Sequence, residues 1–118
     1  MDKAEKYMEM SRLITEVRIA EDMYPQLRDE KRLILLKRSL ADAYISIVPD
    51  EASHKRRATL LSVAAYQLER VGETDRAEEI RNQSDAERRQ YEANRTLGER
   101  ISDGAKRIGD HLMGLLRG

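Results

Sequence analysis

The chain has 118 residues, of which 40% are apolar and 37% charged, with Lys+Arg and Asp+Glu both at 22 and a formal net charge of zero. It contains no Cys, Phe or Trp and only two Pro, which excludes disulfides, thiolate metal sites and thiol nucleophiles and suits helices better than strands. The length bounds the chain at one modest core, the even charge balance argues against a protein that grips nucleic acid by its phosphates, and no stretch reaches the ~18 apolar residues of a membrane span.

The opening MDKAEKYMEM lacks the apolar segment of a signal peptide, so a cytoplasmic location is expected. Within it, Asp2-Lys3-Ala4-Glu5 reads as a capping box. Ala4, Met8, Leu13, Ile14, Val17, Ala20 and Tyr24 then recur at helical spacing. A first helix is expected from Lys3 to Met23, because Pro25 disfavours the helical conformation at Tyr24. A second is expected from Leu27 to Ile47, with a stripe of Leu33, Leu36, Leu40, Tyr44, Ile47 and Val48. Ile34, Leu35, Ala41 and Ile45 widen the stripe, so this helix should pack on at least two neighbours. Pro49-Asp50 ends it, and Asp50 or Ser53 caps the next. The third helix, Glu51 to Val71, carries Ala58, Leu61, Ala64, Ala65, Leu68 and Val71, small enough for close approach to the second. Gly72 suits a left-handed C-cap. Thr74 then caps a fourth helix, with Ala77 and Ile80 facing inward.

After Ile80 the apolar signal thins. Ser84-Asp85-Ala86-Glu87 repeats the capping-box pattern, so a break and restart is expected there. From Arg81 to Arg100 the sizeable apolar side chains are Tyr91 and Leu97; the remainder are good helix formers, which indicates a solvated helix rather than a linker. Glu87, Tyr91 and Arg95 are spaced four apart, as in a charge and stacking ladder. Gly98 or Ser102 marks the join to a last helix whose apolar stripe is Ile101, Ala105, Ile108, Leu112, Met113, Leu115 and Leu116. Gly104, Gly109 and Gly114 weaken that helix by roughly 1 kcal/mol each relative to Ala, so it needs a surface to pack on. The organisation expected is a helical core over residues 1–82, a charged helical arm over 83–100 and an amphipathic C-terminal helix over 101–118. The fold class is all-α: an antiparallel bundle of four to five helices joined by short connections.

The chain has two histidines, His54 and His111. Glu51-Ala52-Ser53-His54 has the Glu-x-x-His spacing of carboxylate-bridged metal bundles, but such a site needs a second copy and two further carboxylates. Ile108 stands three before His111, so neither metal nor cofactor is expected. His54-Lys55-Arg56-Arg57-Ala58-Thr59 resembles the histidine phosphotransfer domains, small helical bundles that accept a phosphoryl group on an exposed His. Arg57 matches their basic residue three positions later, and Ala58 and Thr59 match the small residues that follow. The family's glycine directly after the basic residue is missing, and His54 lies in a first turn rather than mid-helix. The resemblance implies a phosphoacceptor at His54. Lys55, Arg56 and Arg57 form the densest basic run, a candidate contact for nucleic-acid phosphate or an acidic partner. No Gly-rich phosphate loop, Gly-x-Ser-x-Gly elbow or His-Glu-x-x-His occurs, and Tyr7, Tyr24, Tyr44, Tyr66 and Tyr91 read as core edges. No catalytic residue and no small-molecule substrate are therefore expected.

The stretch Leu61 to Ser84 resembles one tetratricopeptide-repeat hairpin. Ala64-Ala65 supply the small pair of its first helix, Leu68 a large apolar position, Gly72 the turn, Ala77 the small residue opening the second helix, and Ser84 another small position. The family's large aromatic in the second helix is Arg81 here, its closing proline is Arg89, and no second copy follows at the ~34-residue period. The resemblance implies a scaffold that presents a groove to a peptide or protein.

The function expected is a non-enzymatic protein–protein interaction module, such as an adaptor, chaperone-like protein or assembly factor. Ile101, Ala105, Ile108, Leu112, Met113, Leu115 and Leu116 would dock it onto a partner, a second copy or its own core. The alternative is a regulator of another class, binding nucleic acid through Lys55, Arg56 and Arg57 or relaying phosphate at His54. Membrane-surface docking of the last helix ranks below protein docking, because interfacial helices carry a more basic polar face and often an aromatic.

Overall fold

The computed structural model describes residues 1–117, apart from the side chains of Leu27, Asp110, Leu112, Leu115, Leu116 and Arg117. Among the described residues there are four α-helices and no strand: α1 (Lys3–Leu27), α2 (Glu30–Ile47), α3 (His54–Arg70) and α4 (Thr74–Arg117), with a single 3-10 turn at Val48–Asp50. This is the all-α bundle that the composition predicts. The chain divides into two compact units, Met1–Arg88 and Arg89–Gly118.

Helix starts follow the capping chemistry. Asp2 Oδ1 accepts the Glu5 N–H at 2.9 Å, Asp29 Oδ1 the Arg32 N–H at 3.2 Å, and Ser53 Oγ the Arg56 N–H at 3.4 Å. Each cap satisfies a backbone donor that has no partner within its helix. Asp29 thus starts α2 at Glu30 instead of the expected Leu27, and Ser53 starts α3 at His54 instead of Glu51. Thr74 does not cap α4 from outside; it is the first helical residue, and the Glu73 carbonyl takes the first bond, from the Ala77 N–H at 2.9 Å.

The ends are equally local. α1 runs past Pro25 to Leu27, because one missing N–H in the last turn removes one bond and not the turn. It stops at Arg28, whose φ of 50° is left-handed and whose N–H closes on Tyr24 O at 2.7 Å. α3 stops one residue before Val71. Gly72 there adopts φ +84°, and the Glu73 N–H reaches back to Leu68 O at 2.9 Å, as a glycine-terminated helix requires.

In the unit Met1–Arg88, α2 is the central element. Leu40 packs with Leu13 and Val17 of α1. Ala41 packs with Leu61, Ala64, Ala65 and Leu68 of α3 and Ala77 and Ile80 of α4, and Tyr44 touches both clusters. The α3 contribution is largely alanine, which lets helix axes approach closely. Several apolar side chains expected in the stripes face water instead: Met8 at 72% exposure, Leu35 at 58% and Tyr24 at 38%.

No break occurs at Ser84, Gly98 or Ser102; α4 continues through all three. Ser84 has the capping-box sequence but not that role. It is buried, and its hydroxyl donates to Ala58 O at 2.7 Å, across to α3. The hydroxyl is thereby committed to another helix, and the α4 backbone runs on uninterrupted.

Candidate functional site

The most densely bonded polar region of the Met1–Arg88 unit surrounds the N-terminus of α3. Glu51, in the segment between the 3-10 turn and α3, is only 3% exposed although it is a carboxylate. It accepts from the Tyr7 hydroxyl at 2.5 Å and lies 3.1 Å from Lys3 Nζ and 3.7 Å from Arg56 Nη1. The Tyr7 hydroxyl bond, then Lys3, hold the Glu51 carboxyl below its ordinary range, and the same hydroxyl bond pushes Tyr7 up. Lys6 Nζ donates to Ser46 O at 3.1 Å and to Asp50 Oδ2 at 2.7 Å.

On the other side of the segment, Arg57 Nε donates to Glu51 O at 2.7 Å, and Arg57 also reaches Ala52 O and Glu87 Oε1. Glu87, on α4, meets His54 Nδ1 at 2.5 Å. The His54 bond, then Arg57, hold the Glu87 carboxyl below its ordinary range. The network joins α1, the 48–53 segment, α3 and α4 at one end of the bundle. Buried charges of this kind are tolerated because each is paired and hydrogen-bonded.

This geometry sorts the chemistry read from the sequence. Glu51 and His54 do not converge: one faces Tyr7 and Lys3, the other Glu87. Among the described residues no group of three His, Cys, Asp or Glu is placed to hold a metal. Two members of the basic run have partners in the chain: Arg57 bonds Glu51 O, Ala52 O and Glu87, and Arg56, 70% exposed, lies 3.7 Å from Glu51. His54 is half-buried with its Nδ1 against a carboxylate. Of the expected ladder's outer members, Glu87 pairs with His54 and Arg57, and Arg95 with Glu92 at 2.8 Å and Glu99 at 4.0 Å. Long-range partners such as Glu87 to His54 leave no local spacing signal, which is why sequence reading misses them.

In the unit Arg89–Gly118 the pattern is opposite. Leu97, Ile101 and Ile108 are 56%, 64% and 65% exposed, and Ala105 is exposed as well. Ile101, Ala105 and Ile108, spaced four and three apart, share one face of α4. Met113 is also exposed, but five residues after Ile108 it stands off that face by helical register. Leu112, Leu115 and Leu116 continue the spacing in the sequence; their side chains lie outside the described residues. A Cβ built at Gly98, Gly104, Gly109 or Gly114 meets nothing within 4 Å, so none of these glycines is required by crowding.

A third feature was not legible in the sequence. Ile19, Ala20, Met23 and Tyr24 of α1, rimmed by Glu16, Asp29 and Arg32, line a groove of about 250 Å³. It forms because α1 continues through Pro25, which carries Tyr24 onto a helical face. No helix among the described residues is long and apolar enough to cross a membrane. Comparison with protein-family models, curated protein sequences and solved structures finds no match for this chain.

Proposed function

We propose that this chain is a non-enzymatic protein-interaction module that docks through the apolar face of α4 beyond Arg88. The observation that carries the proposal is the exposure of Ile101 and Ile108, at 64% and 65%, on one face of a helix. Burying a large aliphatic side chain contributes about 1.5–3 kcal/mol, and each helix-interior glycine costs up to about 1 kcal/mol relative to Ala. A helix holding Gly98, Gly104, Gly109 and Gly114 with its aliphatic residues in water gains stability when a partner covers that face. The likeness of residues 61–84 to a tetratricopeptide hairpin supports the same class, since that family consists of scaffolds for protein partners.

The engagement of Arg56 and Arg57 within the protein favours this reading over nucleic-acid binding through the basic run. The contact of His54 Nδ1 with Glu87 favours a clamping role for that ring over phosphate relay.

The test is site-specific photocrosslinking in the organism that makes the protein, with the photoreactive residue at Ser102. A discrete crosslinked product that disappears when Ile108→Asp is added is expected. A chain that forms no product, or one indifferent to Ile108→Asp, contradicts the proposal.

A further inference from the structure

We infer that the occupant of this face is a second copy of the chain, lying alongside in the same direction. This rests on the proposed docking role of α4 and names its partner. Three observations support a matching copy.

The first is where the charge lies. By helical register Glu99, Arg100, Asp103, Lys106 and Arg107 all fall on one half of the helix. The opposite half carries Leu97, Gly98, Ile101, Ser102, Gly104, Ala105, Ile108 and Gly109. In two-stranded pairs the positions flanking the apolar seam normally carry the charges that select the partner. From Leu97 to Gly109 those flanks are Leu97, Ser102, Gly104 and Gly109, so over this stretch an identical copy brings no like charge against itself; Arg95, on the flank beside Asn94, is paired with Glu92 and Glu99 of its own helix.

The second is shape. Gly98, Ile101, Ala105 and Ile108 are spaced three, four and three apart, the alternation that keeps a seam facing one partner helix. One edge of the seam is built of small residues, Gly98, Ser102, Ala105 and Gly109, and the other of Ile101 and Ile108. Nothing lies within 4 Å of a Cβ built at Gly98 or Gly109. In a same-direction pair Ile101 meets Ile101 and Ile108 meets Ile108, each flanked by the small residues of the other copy, at the close spacing that small side chains allow.

The third is polarity along the seam. Asn94 occupies the seam position seven before Ile101. In a same-direction pair Asn94 meets Asn94, and the two amides can bond to each other. Asn94 Oδ1 accepts from Gln90 Nε2 at 3.3 Å within the same helix; in an opposed pair its NH2 would face the apolar residues at the far end, and a buried donor without an acceptor is costly. The charged half mixes Glu99 and Asp103 with Arg100, Lys106 and Arg107, which does not fit an anionic lipid surface as a basic stripe would.

The chain has no cysteine, so single-cysteine variants report geometry directly. Gly98→Cys and Ala105→Cys, made separately in the full chain, are both expected to give a disulfide-linked species of twice 13.7 kDa under mild oxidation. An opposed pair brings identical residues together only at its centre and would lock at no more than one of these positions, so a dimer that locks at one or at neither overturns the direction. By sedimentation equilibrium the unmodified chain is expected to be dimeric, and Ile108→Asp to weaken the dimer about 100-fold or more. Ile108→Leu should keep the dimer, and circular dichroism confirms that each variant still folds. A chain that stays monomeric at ~100 μM and forms neither disulfide overturns the inference. If that monomer binds vesicles of equal phosphatidylcholine and phosphatidylglycerol, the face is a membrane contact and the inference fails. If it instead gives a crosslink at Ser102 to another protein, self-pairing fails while the docking role stands. Absence of every one of these products removes both.

Discussion

The two stretches of α4 on either side of Arg88 are made from the same kinds of residue and meet opposite fates. In the first, Ala77, Ile80 and Ser84 are buried at 1%, 6% and 2% exposure, and Glu87 is paired with His54 and Arg57. In the second, Ile101 and Ile108 are more than half exposed. The first stretch carries less apolar bulk than the second, yet it is the one that is covered. Apolar content therefore does not decide where a helix is packed; the decision comes from whether complementary surface is supplied. α2 and α3 supply it for residues 77–84 through Ala41, Leu61, Ala64 and Leu68. An apolar helix face left in water is what the proposed docking role requires.

The contrast breaks most sharply at Leu68, which is fully buried. Leu68→Ala should cost about 2–5 kcal/mol by urea denaturation, while Ile101→Ala at concentrations too low for association should change stability by less than about 0.5 kcal/mol. Equal effects would mean that the two faces are not different in kind.

Ser84→Ala comes next. It removes the donor to Ala58 O and leaves a buried carbonyl without that bond, a loss of about 1–3 kcal/mol. A neutral result would return Ser84 to the surface capping role suggested by its sequence. Gly72→Ala should cost about 1–2 kcal/mol for strain at φ +84°, although a Cβ there meets nothing within 4 Å.

Acid should weaken the first stretch through Glu87. Its folded value lies below the ordinary value of 4.5, chiefly through the His54 bond. Ionised Glu87 therefore stabilises the fold above that ordinary value, and the contribution fades as pH falls through the lowered one. Glu87→Gln should flatten the dependence of stability on pH below 4.5, read from urea midpoints across an acid series; an unchanged slope would show the His54–Glu87 pair to be idle. A gain in place of a loss is expected at Gly114, which is exposed and lies on the charged half of the helix by register. Gly114→Ala should raise helicity, by up to about 1 kcal/mol, without touching the seam.

What was legible in the sequence follows the range of each interaction. Helix identity, the inward faces of α3 and the Gly72 cap are local, and the spacing of Ala58, Leu61, Ala64, Ala65 and Leu68 predicts their burial correctly. Boundaries shifted where two local rules competed. The rule against helix before proline gave way at Tyr24, because the helix could still close at Arg28. The capping-box pattern at Ser84 gave way to a bond made across to α3. The polar network around Glu51 and His54 is assembled from α1, α3 and α4, and contacts between residues more than 30 positions apart have no periodic trace. The spacing of Ile101, Ala105 and Ile108 on one face of α4 was legible in the sequence, and Met113 stands off that face by register.

The most direct test of the central claim is amide hydrogen exchange of the full chain, followed by mass spectrometry across a dilution series. Protection at residues 77–84 should be strong and independent of concentration, because the covering surface is in the same chain. Protection at residues 97–109 should be weak in dilute solution and rise as the protein is concentrated, because the covering surface arrives with another copy. Protection at 97–109 as strong as at 77–84 at every dilution would contradict the account, since a helix that is stable without a partner gives no sign of needing one.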